Sequence, residues 1–183
     1  MGELPEVTPD YFQILVVREL RKAGFEVGNA RVHRRAELPE PDQGFVLELA
    51  VPLSKPGRTW SRTALVVCRR QTGAVEREVV TSVKARLAKV PAEVAIVFAT
   101  AAYAADALVA AQENGIALLR VVDGRSAFDM SGWGGTPGHY PIWLPAYAAQ
   151  VVDRDVAGQP RARLLEAGRP DMILDSFRVE SST

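Results

Sequence analysis

Apolar residues recur at helical spacing behind a Thr8-Pro9-Asp10 start: Phe12, Leu15, Val16 and Leu20, with Gly24 just past the last of them. A capping threonine, a proline at the first helical position and a terminal glycine predict a helix over about Pro9 to Ala23. The texture then changes to that of strands. Phe25-Glu26-Val27 and the run to Arg35 read as a strand, Pro39, Glu40, Pro41, Asp42 and Gly44 as the loop after it, and Phe45 to Leu53 as the next strand. Lys55-Pro56-Gly57-Arg58 is a turn, and Thr63 to Arg70 is apolar and β-branched enough for a third strand, central in a sheet. Three consecutive strands predict a meander. Val75, Val79, Val80, Val83 and Leu87 return to helical spacing and predict an amphipathic helix over Val75 to Val90. Glu93 to Ala99 is a strand, Ala102 to Asn114 an alanine-rich helix ended by Gly115, and Ile116 to Val122 a final strand. The order αβββαβαβ predicts an α/β fold whose mixed sheet is flanked by helices.

After Gly124 the pattern is lost. Residues 131–145 are rich in glycine, proline and aromatics and cannot form one regular element. The expected organisation is a core domain over residues 1–124 and a Gly/Pro/aromatic-rich extension over 125–183, irregular and packed on or near the core. Trp133, Tyr140, Trp143 and Tyr147 are expected to cover an open edge of the sheet, with partner docking as the alternative. Asp171 to Thr183 reads as a polar, frayed tail.

Composition narrows the function through its distribution more than its total. The chain of 183 residues has 22 basic and 22 acidic residues and a formal net charge of zero, which removes the simplest argument for nucleic-acid binding. Residues 1–90 nevertheless hold 15 basic against 11 acidic residues, and 91–183 hold 7 against 11. Between Lys55 and Lys89 nine basic residues face only Glu76 and Glu78, so an anionic partner is expected to meet this stretch; a solvated positive face is the plain alternative. One cysteine, Cys68, excludes an intrachain disulfide and suits a reducing compartment. The N-terminal residues carry no secretory or myristoylation pattern, and the apolar stretch from Val94 to Ala111 reads as strand, turn and helix. A cytoplasmic protein with no membrane partner is expected.

Three segments carry a family resemblance: VVCRRQTGAV (Val66 to Val75), AIVFAT (Ala95 to Thr100) and ALVAAQENGIALL (Ala107 to Leu119). Over about Pro9 to Asp123 the chain resembles the Mrr-like branch of type IV restriction endonucleases, which implies the PD-(D/E)XK nuclease fold. The resemblance further implies that the strand ending in Val67-Cys68-Arg69 is the one that carries the catalytic lysine in the family. Such nucleases hold Mg²⁺ against the scissile phosphate with carboxylates on adjacent strands, beside a lysine that orients the attacking water. In an (E/Q)-x-K motif, positions i and i+2 point to one face of the strand.

At the matching positions this sequence differs. Val67 stands for the Glu or Gln and Arg69 for the Lys. Val46, in Gly44-Phe45-Val46-Leu47, stands for the essential Asp, and Gln13 after Phe12 stands for the Glu of the first helix. Valine ligates no metal, and arginine grips phosphate but is too basic to serve as a base near neutrality. The expectation is a degenerate, pseudoenzyme-like member without a cofactor, in which Arg58, Arg62, Arg69, Arg70 and Lys84 contact the backbone of double-stranded DNA.

Two alternatives stay open. Glu48, on the same strand face as Val46, and Asp42 in the preceding loop could rebuild a Mg²⁺ site for an active endodeoxyribonuclease; the preferred reading is that Glu48 pairs with Arg69 across neighbouring strands. Alternatively the core is a non-enzymatic scaffold on which Trp133, Tyr140 and Trp143 dock a protein partner or a second copy of the chain. His33 and His139 have no ligand spacing and read as surface residues. Cys68, opposite in face to Val67 and Arg69, reads as a small buried hydrophobe.

Overall fold

The computed structural model describes residues 7–40, 43–57, 59–130, 140, 142 and 144–178. Helix α1 (Pro9–Ala23) begins where the Thr8 hydroxyl accepts from the Tyr11 backbone N–H and ends at Gly24, whose φ of 111° lies in the left-handed region. Strands β1 (Glu26–Val27) and β2 (Arg31–Glu37) both pair antiparallel with β3 (Phe45–Ser54), which pairs antiparallel with β4 (Ser61–Arg70). Helix α2 (Arg77–Leu87) crosses to β5 (Val94–Ala99), and α3 (Ala105–Asn114) crosses to β6 (Ala117–Asp123). The β4/β5 and β5/β6 ladders are parallel, as such crossovers require. The expected mixed α/β order is therefore present, including the meander.

The strand expected over Phe25 to Arg35 is broken in two. Val27 and Arg31 are four positions apart while their partners Leu53 and Ala50 are three apart, so one residue is in excess; the Gly28 N–H bonds the Pro52 carbonyl in between. A second irregularity between Val32 and Arg34 leaves His33 outside the ladder and sets Arg34 opposite Glu48. That bulge re-aims Arg34, which in unbroken register would face the other side of the sheet.

No element was expected beyond Val122, yet the sheet continues. Helix α4 (Gly124–Met130) is followed by β7 (Tyr147–Arg154), antiparallel to β6, and by β8 (Pro160–Leu164), antiparallel to β7. The strand order is β1-β3-β4-β5-β6-β7-β8, with β2 also on β3. Asp153 fixes the last hairpin by a two-point bond to Arg161, both distances 2.8 Å, and a third bond to Arg163. The polar tail expected from Asp171 is corrected over its first part: α5 (Asp171–Leu174) buries Met172 and Ile173, and the following 3-10 turn (Asp175–Phe177) stacks Phe177 on Trp60.

Two apolar layers result, one on each sheet face. Phe12, Leu15, Val16 and Leu20 of α1 meet Leu47, Leu49, Val66, Cys68, Phe98 and Leu119 on one side. Val80 and Val83 of α2 and Ala107, Leu108 and Ala111 of α3 meet Leu65, Val67, Val97 and Leu118 on the other. Arg18 ties α1 to the start of β7 by donating to the Tyr147 carbonyl at 2.6 Å. Among the described residues no helix is long and apolar enough to cross a membrane.

Candidate functional site

Period-two alternation decides which side chains meet at the ends of β3 and β4. Val46 pairs with Arg69 and Glu48 with Val67, so all four share the face covered by α2, while Cys68 points into the α1 layer. The alternation within each strand, with Val46 and Glu48 on one face and Val67 and Arg69 opposite in face to Cys68, is the one expected from the sequence. A cavity of about 260 Å³ opens here, lined by Val46, Glu48, Val67 and Arg69 from these strands, by Arg34 and Glu37 from β2, and by Ser82, Val83 and Arg86 from α2. Gln13 does not join them: α1 lies on the opposite face of the sheet, where Gln13 neighbours Asp10, Ile14, Val17 and Arg18.

Glu48 forms an ion pair, but with partners other than Arg69. Its carboxylate, on a residue only 5% exposed, lies 3.0 Å from Arg86 Nε and 4.0 Å from Arg34 Nη1. Arg69 instead donates from Nε to Gln71 Oε1 at 2.6 Å. The reason is the register, which puts Val67 directly across from Glu48 and leaves Arg69 on the diagonal, while α2 lowers Arg86 onto the carboxylate from above. The Arg69 end of the strand is itself latched. Thr100 Oγ1 accepts the Gln71 N–H at 3.0 Å and lies 3.1 Å from the Gln71 carbonyl, and Gln71 Nε2 donates to the Gly73 carbonyl.

Electrostatically the cavity gathers three guanidiniums, from Arg34, Arg69 and Arg86, around two carboxylates. The second carboxylate, Glu37, is 77% exposed and lies 4.0 Å from Arg35. Among the described residues no group of three or more His, Cys, Asp or Glu side chains comes together. Arg34 and Arg86 were missed from the sequence. Arg86 falls in step with Val80 and Val83 on the buried stripe of α2, and a cation on an apolar stripe was the readable sign.

The basic run from Lys55 to Lys89 is not one surface. Arg62 pairs with Leu53 at the far end of β4, about 23 Å along the strand from Arg69 at the usual rise per residue, and bonds Glu93 there. Arg70 lies on the face opposite Arg69 and donates to the Gln43 carbonyl; Lys84 is exposed on α2. Asp42, Arg58, Trp133, His139 and Trp143 lie outside the described residues. Of the aromatic group, Tyr140 packs edge-on to Phe128 beneath Arg125, and Tyr147 meets Tyr11 on α1. His33 is exposed at the β2 bulge.

A larger cavity of about 350 Å³ lies between α3, β7 and the 3-10 turn, but its Arg154 is already bonded to Gln112 and to the Gly158 carbonyl. Cys68 is fully buried, and burial pushes its thiol well above the ordinary thiol range. It is therefore expected to give no reaction with a thiol-specific chromogen in the native protein and one equivalent in denaturant; rapid native labelling would contradict that.

Residues 4–125 match a family model described as restriction endonuclease, of the Mrr catalytic type. No curated protein and no solved structure matches the chain.

Proposed function

From the premise that the chain belongs to the Mrr-type restriction endonuclease family, we propose that it binds the phosphate backbone of double-stranded DNA through this cavity without hydrolysing it. The observation that carries the reading is the cavity's make-up: valines at 46 and 67, and three guanidiniums where metal-ligating carboxylates would be needed. The described donor set does not fit Mg²⁺. A divalent cation asks for oxygens in near-octahedral array, whereas Glu48, the buried carboxylate, is already held by Arg86 and Arg34. The same arginines suit an anion, since a guanidinium offers a fork of donors matched to phosphate oxygens. Lys84 follows Val83 of the cavity lining on α2, whereas Arg70, on the opposite face of the sheet, and Arg62, at the far end of β4, stand apart from it.

The competing reading keeps an enzyme and is favoured by one feature, the orientation of Glu48 into the cavity. One gel separates the two. Supercoiled plasmid is incubated at low salt with Mg²⁺, Mn²⁺ or chelator and run with and without protein removal. Retardation in all three conditions, with intact plasmid after deproteinisation, is the expected result. A Glu48→Gln variant, which removes a negative charge from an arginine-lined cavity, is expected to retard DNA at least as well as the parent protein. Metal-dependent nicking that survives deproteinisation and disappears in Glu48→Gln would overturn the binding-only reading.

A further inference from the structure

The row of paired residues that contains Val46 and Arg69 continues across the sheet. Arg69 pairs with Ala99, Ala99 with Arg120, and Arg120 with Gln150, so all of them lie in one line on the α2/α3 face. Alternation confirms the face independently, because Leu118 and Val152, two residues from Arg120 and Gln150, both pack in the α2/α3 layer. Two strand spacings, about 9.6 Å in all, separate the Arg69 and Arg120 backbones. Between them Ala99 offers only a methyl group. Tyr103 offers no competing anion: its hydroxyl bonds the Leu119 carbonyl at 2.7 Å, with the Val97 carbonyl at 3.2 Å, and burial raises its pKa.

Arg120 and Gln150 are distinguished by what they do not touch. Arg120 is exposed, and among the described residues its guanidinium has no ion pair or hydrogen bond. Arg154, Arg161, Arg163 and Arg169 of the same half of the chain all bond side-chain or backbone oxygens. Gln150 is 9% exposed, and among the described residues its amide also has no hydrogen-bond partner. Unlike Arg163 Nε, which is fully enclosed with no hydrogen-bond partner among the described residues, the Gln150 amide is not sealed from the surface. A nine-tenths-buried amide held beside an unpaired guanidinium, with neither satisfied by the described residues, is a poor structural device. It is costly unless something external completes it.

We infer that Arg120 and Gln150 form a second phosphate subsite, which receives a backbone phosphate of the same nucleic acid that Arg69 holds. The inference rests on the DNA-binding reading above. Arg120 supplies the charge and Gln150 a neutral donor to a phosphate oxygen, so the two variants carry different signatures. Binding of a labelled random-sequence duplex to the full chain is followed by anisotropy across a salt series. Arg120→Gln is expected to take about 0.9 off the magnitude of the salt slope, as loss of one phosphate contact does, and to weaken binding about tenfold at moderate salt. Gln150→Met keeps volume and removes the amide. It is expected to weaken binding about threefold with the parent slope, while its melting temperature stays equal or rises. A parent slope in Arg120→Gln, or parent affinity in Gln150→Met, would overturn the subsite while leaving DNA binding intact. A parent protein that binds no duplex at any salt would overturn both.

Discussion

Replacing Arg34 and Arg69 together by glutamine is expected to weaken binding to duplex DNA about a hundredfold and to take roughly 1.8 off the magnitude of the salt slope. The pair is chosen for what each leaves behind. Arg34 lies 4.0 Å from Glu48 and its side chain is 60% exposed, so most of its hydrogen-bonding capacity faces outward and its removal disturbs little of the fold. Arg69 bonds Gln71 through Nε, and a glutamine there can still donate to the neighbouring amide. Arg86 is the wrong residue for this test. It is the near partner of a carboxylate that is 5% exposed, and removing it would leave a buried charge with one distant guanidinium. Such a variant loses stability, and its loss of binding would then say nothing about contact. Arg69→Lys supplies the control for charge against shape: the slope is expected to stay at the parent value while affinity falls, because lysine keeps the charge and lacks the fork. Unchanged affinity and slope in the double variant would place the DNA contact elsewhere on the molecule.

Local pattern carried the fold as far as Asp123, because each signal there acts within a few residues. Thr8 caps one helix, Gly24 and Gly115 end two helices with positive φ, and apolar spacing marks each element. That Val67 shares a face with Arg69, and Val46 with Glu48, was also legible, since side chains alternate along any strand; the register that brings the two pairs together was not. Partners across elements were not. Glu48 and Arg86 are 38 residues apart, and Arg34 reaches the cavity only through a bulge that period-two reasoning does not anticipate. Beyond Gly124 the strand β7 escaped notice because Ala148, Ala149, Gln150 and Val151 are all buried, which erases the alternation that marks a half-buried strand. Gln150 was lost with it, since nothing in the neighbouring residues singles out one glutamine in a stretch read as irregular.

Gly44→Ala is expected to be the most damaging single substitution near the site. A Cβ at this position would stand 1.6 Å from the Arg70 carbonyl oxygen and 2.7 Å from its carbon. Both are backbone atoms, so no rotamer change relieves the clash, and the paired ends of β3 and β4 must move apart. The Gly44 carbonyl also accepts the Leu38 N–H at 2.8 Å, so the same movement strains the closure of the loop between β2 and β3. A cost of about 3 kcal/mol follows from enforced overpacking, or roughly 6–12 °C in melting temperature for a chain of this size. The effect reaches the cavity, because Val46 lies two residues after Gly44 and Arg69 immediately precedes Arg70. DNA affinity is therefore expected to fall even below the lowered melting temperature, although no charge has been removed. Gly73 provides the comparison: a Cβ there meets nothing within 4 Å, and Gly73→Ala is expected to change stability by about 0.5 kcal/mol or less. Thermal melts and duplex binding of the two alanine variants, measured side by side, separate a steric requirement at Gly44 from any general sensitivity of glycines around the site. A Gly44→Ala protein that melts and binds like Gly73→Ala would refute the close approach of β3 to β4 on which the cavity's shape depends.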